Sequence, residues 1–234
     1  MKNAVLISGA TKGIGRETVL ALAKADLEFD CIVMVGRDAA RIEETRRKAE
    51  SVARGKSVVG IVADLENPEV AEDIFDKLAE EGVSLTAIIN NAGFTKPASI
   101  NETRLEDFEL TMRVNVYSPF RIVQTALRRN HPLAKILNVA STAGMNGRAG
   151  WLSYSASKAA MINMSEVMRE ELKMYGIDVM CISPGRCATD LRKQLAPDED
   201  PSTIMQPSQV ADVIELLMSP TGLLLHSQNL VVRT

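Results

Sequence analysis

Seven short apolar runs, rich in β-branched residues, recur along this chain, and stretches of helical period lie between them. The runs are NAVLIS (3–8), DCIVMVG (30–36), KSVVGIVA (56–63), SLTAIIN (84–90), AKILNVA (134–140), IDVMCIS (177–183) and NLVVR (229–233). They are continuous rather than alternating, which is the pattern of strands buried on both faces. Helical period spans 13–25, 38–54, 67–81, 106–130, 153–175 and 208–218. Strand and helix in alternation predict an α/β fold: a doubly wound, seven-stranded parallel sheet with helices on both faces. At 234 residues the expectation is a single domain over 1–234. Asp38 and Asn67-Pro68 stand where helices start, and Gly176 stands where one stops. The Pro-rich, charged stretch 192–207 reads as a surface loop or lid.

Composition removes several classes of function. The formal net charge of -3 suits neither nucleic acid nor an acidic membrane surface as a partner. No apolar run is long enough to span a bilayer, and the opening MKNAVLISGA does not read as a secretory signal. The three cysteines, Cys31, Cys181 and Cys187, are sparse and odd in number, as in a reducing compartment. A cytoplasmic location is therefore expected. Only two histidines exist, His131 and His226, with no cysteine or acid cluster beside either, so no metal site is expected. For His131, which precedes Pro132, a helix cap or surface role is expected.

The first strand runs into SGATKGIG (8–15) and then a helix. Glycines in that setting let the backbone turn tightly and approach a pyrophosphate, whose charge meets the free N–H groups of the helix start. No Gly-Lys-Ser/Thr closes the run, so it is not a nucleoside-triphosphate loop. The second strand ends Gly36-Arg37-Asp38. A site for NAD commonly places an acid near this point, whereas an arginine suits the 2′-phosphate of NADP. Arg37, with Lys12 reaching from the glycine turn, favours NADP(H) over NAD(H); the alternative is two solvated cations, with Asp38 a helix cap.

Tyr154 and Lys158, in YSASK, are four residues apart in a helical stretch and so share a face. Taken with the glycine turn, they make the chain resemble the short-chain dehydrogenase/reductases. Further matching segments stand in family order: ADL (63–65), NNAG (90–93), VNV with Asn115, NVASTAG with Ser141, and SPGRCAT (183–189). Ser141 lies 13 residues before Tyr154, the separation found in that family.

The resemblance implies an enzyme of Rossmann-type fold that moves hydride between a nicotinamide and a carbonyl or alcohol. It implies Asn115, Ser141, Tyr154 and Lys158 as a catalytic tetrad, with Asn115 holding a water that links Lys158 to solvent. Gly9, Gly13, Ile14 and Gly15 would hold the dinucleotide phosphates, with Thr11 and Lys12 in the same turn. Asp64 and Leu65 would border the adenine. Asn91, Ala92 and Gly93 would line the cofactor, and Pro184, Gly185 and Thr189 would hold its nicotinamide end; Tyr154 and Lys158 would touch it too. A phenol of pKa about 10 is a poor base at neutral pH, and a nearby ammonium lowers it. Ser141 would steady charge on the substrate oxygen.

Among family members the chain is similar to 3-oxoacyl-[acyl-carrier-protein] reductases and related carbonyl reductases. The ending LLLHSQNLVVRT lacks the Asp-Gly-Gly close common in the fatty-acid-synthesis members, which keeps a sugar, polyol or nucleotide-sugar reductase open. A non-catalytic NADP-binding scaffold is the other alternative. A homotetramer or homodimer is implied, with a small-molecule substrate. SASK (155–158) also fits Ser-x-x-Lys of acyl enzymes, but the companion Ser-Asp-Asn and Lys-Thr-Gly are missing.

Four further features are singled out. Cys187, in the loop after Pro184-Gly185, faces substrate or, the favoured reading, is a small buried filler. Trp151 walls the pocket or packs at an interface. Arg148, in the loop GMNGRAG (144–150), meets an anionic substrate or is solvated. Met161, Met164 and Met168 read as core or interface.

Overall fold

A computed structural model describes residues 1–225 and 229–233; His226 lies outside them. The strands are β1 (Lys2–Ser8), β2 (Cys31–Gly36), β3 (Ser57–Val62), β4 (Val83–Asn90), β5 (Lys135–Val139), β6 (Asp178–Pro184) and β7 (Leu230–Val232). The helices are α1 (Gly13–Lys24), α2 (Ala39–Glu50), α3 (Val70–Glu80), α4 (Leu105–Met112), α5 (Ser118–Arg128), α6 (Leu152–Leu172), α7 (Asp190–Leu195) and α8 (Pro207–Met218). All seven strands form one sheet in the order β3-β2-β1-β4-β5-β6-β7. Every neighbouring pair is parallel.

The apolar runs become strands because each feeds two cores. In β1, Val5 and Ile7 pack with Val19 and Leu22 of α1 and with Val210 and Ile214 of α8. The alternate residues Ala4 and Leu6 pack with Ile74, Phe75 and Leu78 of α3 and Ile122 of α5. Each such large side chain, fully buried, contributes roughly 1.5–3 kcal/mol. With a core on each face, a β1 residue is apolar whichever way it points. Strand order reverses between β1 and β4, so the loops leaving their C-terminal ends diverge and open a crevice there.

Several boundaries differ from the expected ones. The helix over 67–81 starts at Val70, because Asn67 turns back to accept a hydrogen bond from the Glu69 amide at 3.1 Å. The stretch 106–130 is not one helix: α4 and α5 are joined by a π-helical turn, Arg113–Tyr117. The start of 192–207 is helical as the end of α7, and Cys187 bridges to Met205 at its far end. Asp38 does cap α2, accepting from the Arg41 amide at 3.1 Å, and Gly176 (φ 70) ends the helix that includes α6. His131 does not cap a helix, and it is half-buried with its ring turned inward. Its Nδ1 accepts the Leu85 amide at 2.9 Å and its ring meets Phe75 edge-on, 5.1 Å between centroids, tying α5 to β4.

Candidate active site

The glycine turn is built by contact with β4. Gly9 has φ +66, and a Cβ there would stand 2.7 Å from the Ala92 Cα. A Cβ on Gly15 would stand 2.2 Å from the Gly9 carbonyl oxygen, so only glycine lets α1 begin this close to β1. Ser8 and Asn91 hold the arrangement. Ser8 Oγ accepts the amides of Asn91 and Ala92, each at 3.1 Å, while Asn91 Nδ2 donates to the carbonyls of Ser8 and Gly9. No side chain caps the N-terminus of α1, and Gly13 and Ile14 line the cleft in front of it. Uncapped amides at a helix start fit an anionic group such as a pyrophosphate.

That cleft has a volume of about 310 Å³ and lies at the C-terminal ends of the strands. It gathers residues from the whole chain: the glycine turn, the ends of β2, β3 and β4, Ser141 after β5, the start of α6, and the segment after β6. Each expected cofactor contact lines it except Gly15, which sits behind the turn as packing. Of the expected tetrad, Ser141, Tyr154 and Lys158 line it and Asn115 does not. Asn115 lies fully buried in the π turn, with its side chain already committed. Its Oδ1 accepts the Phe94 amide at 2.7 Å, and its Nδ2 donates to the Phe94 carbonyl at 3.0 Å and to Ser157 Oγ at 2.9 Å. Ser157 Oγ in turn donates to the Tyr154 carbonyl at 2.8 Å. Asn115 therefore fixes the first turns of α6 from behind.

Burial dominates the electrostatics of the pair. Tyr154 is 7% exposed, and desolvation pushes its phenol up to about 12, with the Ser141 side chain and the Arg192 charge pulling the other way. Desolvation likewise pushes the Lys158 ammonium down to about 8. Lys158 Nζ donates to the Val139 carbonyl at 2.8 Å and stands 5.8 Å from the Tyr154 ring centroid. The sequence-based expectation was a phenol lowered by this ammonium; in the structure desolvation is the larger effect and the shift is upward.

The cations expected at the cofactor ribose both line the cleft, and both are ion-paired. Arg37 Nη1 meets Glu66 at 3.0 Å, and Lys12 Nζ meets Asp190 of α7 at 2.9 Å. Asp64 Oδ1 accepts the Glu66 amide at 3.0 Å, so a short turn places the carboxylate opposite Arg37. Sequence reasoning missed Glu66 and Ser157. It also missed the buried chain in which Asn90 Nδ2 donates to Asn138 Oδ1 and Asn138 Nδ2 donates to Ser165 Oγ, each at 2.8 Å, beneath the site. Cys187 is 4% exposed and packs into the core, and it also lines the cleft, so the filler and substrate-facing readings both keep support.

The family described as short chain dehydrogenase matches residues 3–200. The chain belongs to the short-chain dehydrogenases. It is 28% identical over 219 residues to a 3-oxoacyl-[acyl-carrier-protein] reductase of Synechocystis, covering 91% of this chain and 87% of that one. A short-chain dehydrogenase of Burkholderia cenocepacia, solved in complex with NADP, superposes with a TM-score of 0.83 at 26% identity, covering 97% of this chain and 95% of that one. NAD⁺-bound xylitol dehydrogenase shares the fold with a TM-score of 0.81 at 22% identity, covering 99% and 97% of the two chains. This short-chain dehydrogenase is thus an oxidoreductase by family. Among its described residues no helix is long and apolar enough to cross a membrane. Nor, among them, does any group of three or more His, Cys, Asp or Glu side chains suit a metal ion.

Proposed function

We propose that the protein is an NADP(H)-dependent carbonyl reductase in which Tyr154 is the proton donor. The observation that carries this is the convergence of Ser141, Tyr154 and Lys158 on the same cleft as the glycine turn and Arg37. A bound nicotinamide would supply the hydride. The chain's own residues supply the rest. A phenol pushed up to about 12 holds its proton at neutral pH and is set to release it to a carbonyl oxygen that gains charge. Ser141, beside it, offers a hydroxyl to the same oxygen. Lys158, buried next to the ring at 5.8 Å from its centroid, holds the Val139 end of β5, and the Arg192 charge also favours a developing phenolate.

Gly9, Gly13 and Ile14 would take the dinucleotide phosphates, with Thr11 and Lys12 beside them, and Arg37 a 2′-phosphate. Asp64 and Leu65 would meet the adenine. Asn91, Ala92, Gly93, Pro184, Gly185 and Thr189 would flank the nicotinamide half. The Burkholderia structure with NADP and the arginine after β2 both support NADP over NAD. The Synechocystis relative supports a 3-oxoacyl compound as one substrate to try. Exposed Tyr117 and Phe120, at the junction of the π turn and α5, support a homodimer or homotetramer.

The test is Tyr154→Phe. Turnover of ketones with NADPH is expected to fall by about 10²–10⁴-fold, while NADPH binding, followed by nicotinamide fluorescence, stays as in the parent protein. Undiminished turnover would sink the mechanism. Tighter binding of NADH than of NADPH would sink the cofactor assignment.

A further inference from the structure

The substrate end of the cleft has a cationic wall beside the proposed proton donor. Trp151 immediately precedes α6, and its indole is met by two guanidinium groups. The Arg148 Cζ stands 5.3 Å from the ring centroid, and the Arg192 Cζ stands 5.4 Å from it. Both are within the range in which a cation is attracted to the face of an indole. All three residues line the cleft with Ser141 and Tyr154.

The two arginines differ in what balances them. Arg192 is largely buried and held by Glu199, through Nε and through Nη2 at 2.7 Å; Arg186 shares that carboxylate at 3.4 Å. Arg192 is therefore a structural cation that keeps the indole in place. Arg148 is exposed, and among the described residues no carboxylate pairs with it. Its backbone is nonetheless fixed. The Arg148 carbonyl accepts the Trp151 amide at 3.1 Å, and the next turn is pinned where the Ala98 amide donates to the Gly150 carbonyl at 2.9 Å. A charge with no carboxylate partner among the described residues, on a braced turn, against an aromatic wall of the cleft, is placed to receive an anion.

We infer that the substrate is an oxo acid whose carboxylate is received by Arg148 over the Trp151 ring. This rests on the carbonyl-reductase reading and narrows its substrate class. A guanidinium presents a planar fork that matches a carboxylate in two parallel hydrogen bonds. Arg186 and Arg192 share the Glu199 carboxylate, and of the three arginines Arg148 alone has no carboxylate beside it among the described residues, so its fork is the free one. Trp151 is three residues before Tyr154, at the start of α6. Arg148 and Tyr154 line one cleft of about 310 Å³, so a short-chain oxo acid is the first probe.

Trp151 is the chain's one tryptophan, so intrinsic fluorescence reports this wall alone. The experiment titrates the NADP⁺-loaded protein with 4-oxopentanoate, with its methyl ester, and with dihydroxyacetone phosphate. Saturable quenching by the acid is expected, with a midpoint about 10- to 100-fold higher in Arg148→Gln. Arg148→Lys, which keeps charge and loses the fork, is expected in between. Equal quenching by acid and ester, or an unmoved midpoint in Arg148→Gln, would overturn the inference. Tighter binding of the phosphate ester would overturn the carboxylate class. NADPH turnover separates this from the underlying reading, through the acid-to-ester ratio of kcat/KM. Turnover of the ester with a ratio that Arg148→Gln leaves unmoved defeats the inference alone. Absence of turnover with every ketone defeats the reductase reading, whatever the fluorescence shows.

Discussion

The ammonium of Lys158 donates to the carbonyl of Val139 at 2.8 Å, four residues along α6 from a phenol that is itself buried. The lysine thus braces β5 against α6 while facing the cleft. A buried cation held by one neutral acceptor costs stability, and that cost depends on pH in a definite direction.

Lys158 is lowered from 10.5 to about 8 by desolvation. Below pH 8 it is protonated both folded and unfolded, and the burial cost is carried in full. Above 8 the folded protein releases the proton while the unfolded chain keeps it, so this group makes stability rise with pH toward 10.5. Tyr154, raised from 10 to about 12, acts oppositely, but only above pH 10. Urea midpoints near pH 7 and near pH 9.5, for the parent and for Lys158→Met, isolate the lysine. The parent is expected to gain on the order of 2 kcal/mol over the variant across that interval. A constant difference would place the Lys158 titration outside this window.

Arg37 and Glu66 form an exposed pair at the cleft wall. If Arg37 takes a 2′-phosphate, Glu66 competes with it for the guanidinium. Arg37→Ala is expected to weaken NADPH binding about tenfold or more and NADH binding hardly at all. Glu66→Gln is expected to tighten NADPH binding by roughly 2- to 5-fold, the scale of an exposed ion pair. Parallel titrations with the two reduced nicotinamides measure both. A Glu66→Gln protein that binds NADPH less well would make the carboxylate part of the site instead of a competitor.

How much of this was legible before the fold was known follows from the range of each interaction. The glycine turn and the Tyr154–Lys158 spacing are local, so the chain order displays them. The strands were legible because double-sided burial leaves unbroken apolar runs, as in β1 and β2. The π turn at Arg113–Tyr117 was not, because one inserted residue per turn barely disturbs a periodic apolar pattern. Nor were Arg192–Glu199 against Trp151, Arg37–Glu66, or His131 on Leu85. Those pairings are made by the tertiary fold between segments 29 to 46 residues apart, or across a loop whose path no pattern encodes. The direction of the Tyr154 shift was missed for the same reason: residue identity names the neighbouring charge but not the depth of burial.

Gly15 differs from the other glycines of the turn in pointing away from the cleft. A methyl group there would meet the Gly9 carbonyl oxygen at 2.2 Å and Asn91 Nδ2 at 2.4 Å, and backbone cannot give way cheaply. Gly15→Ala is expected to destabilise the protein by about 1–3 kcal/mol through overpacking. It would also push α1 off β1 and weaken NADPH binding. Thermal unfolding with and without NADPH tests this; a variant with the parent's midpoint in both conditions would show that the turn is looser than the geometry indicates.

Ser157 offers the sharpest test of how the π turn serves the site. Its hydroxyl accepts from Asn115 Nδ2 at 2.9 Å and donates to the Tyr154 carbonyl at 2.8 Å, and it is fully buried. Ser157→Ala keeps the helix former and the small volume but leaves Asn115 Nδ2 with the Phe94 carbonyl as its remaining partner. The loss is expected to cost about 1–3 kcal/mol of stability. Ser157 does not line the cleft, so NADPH binding is expected to stay near the parent value while kcat falls severalfold, as Tyr154 loses the anchor behind its turn. Ser157→Thr, which restores the hydroxyl, is expected to recover part of kcat. A fall in stability with kcat unchanged would confine Ser157 to the fold.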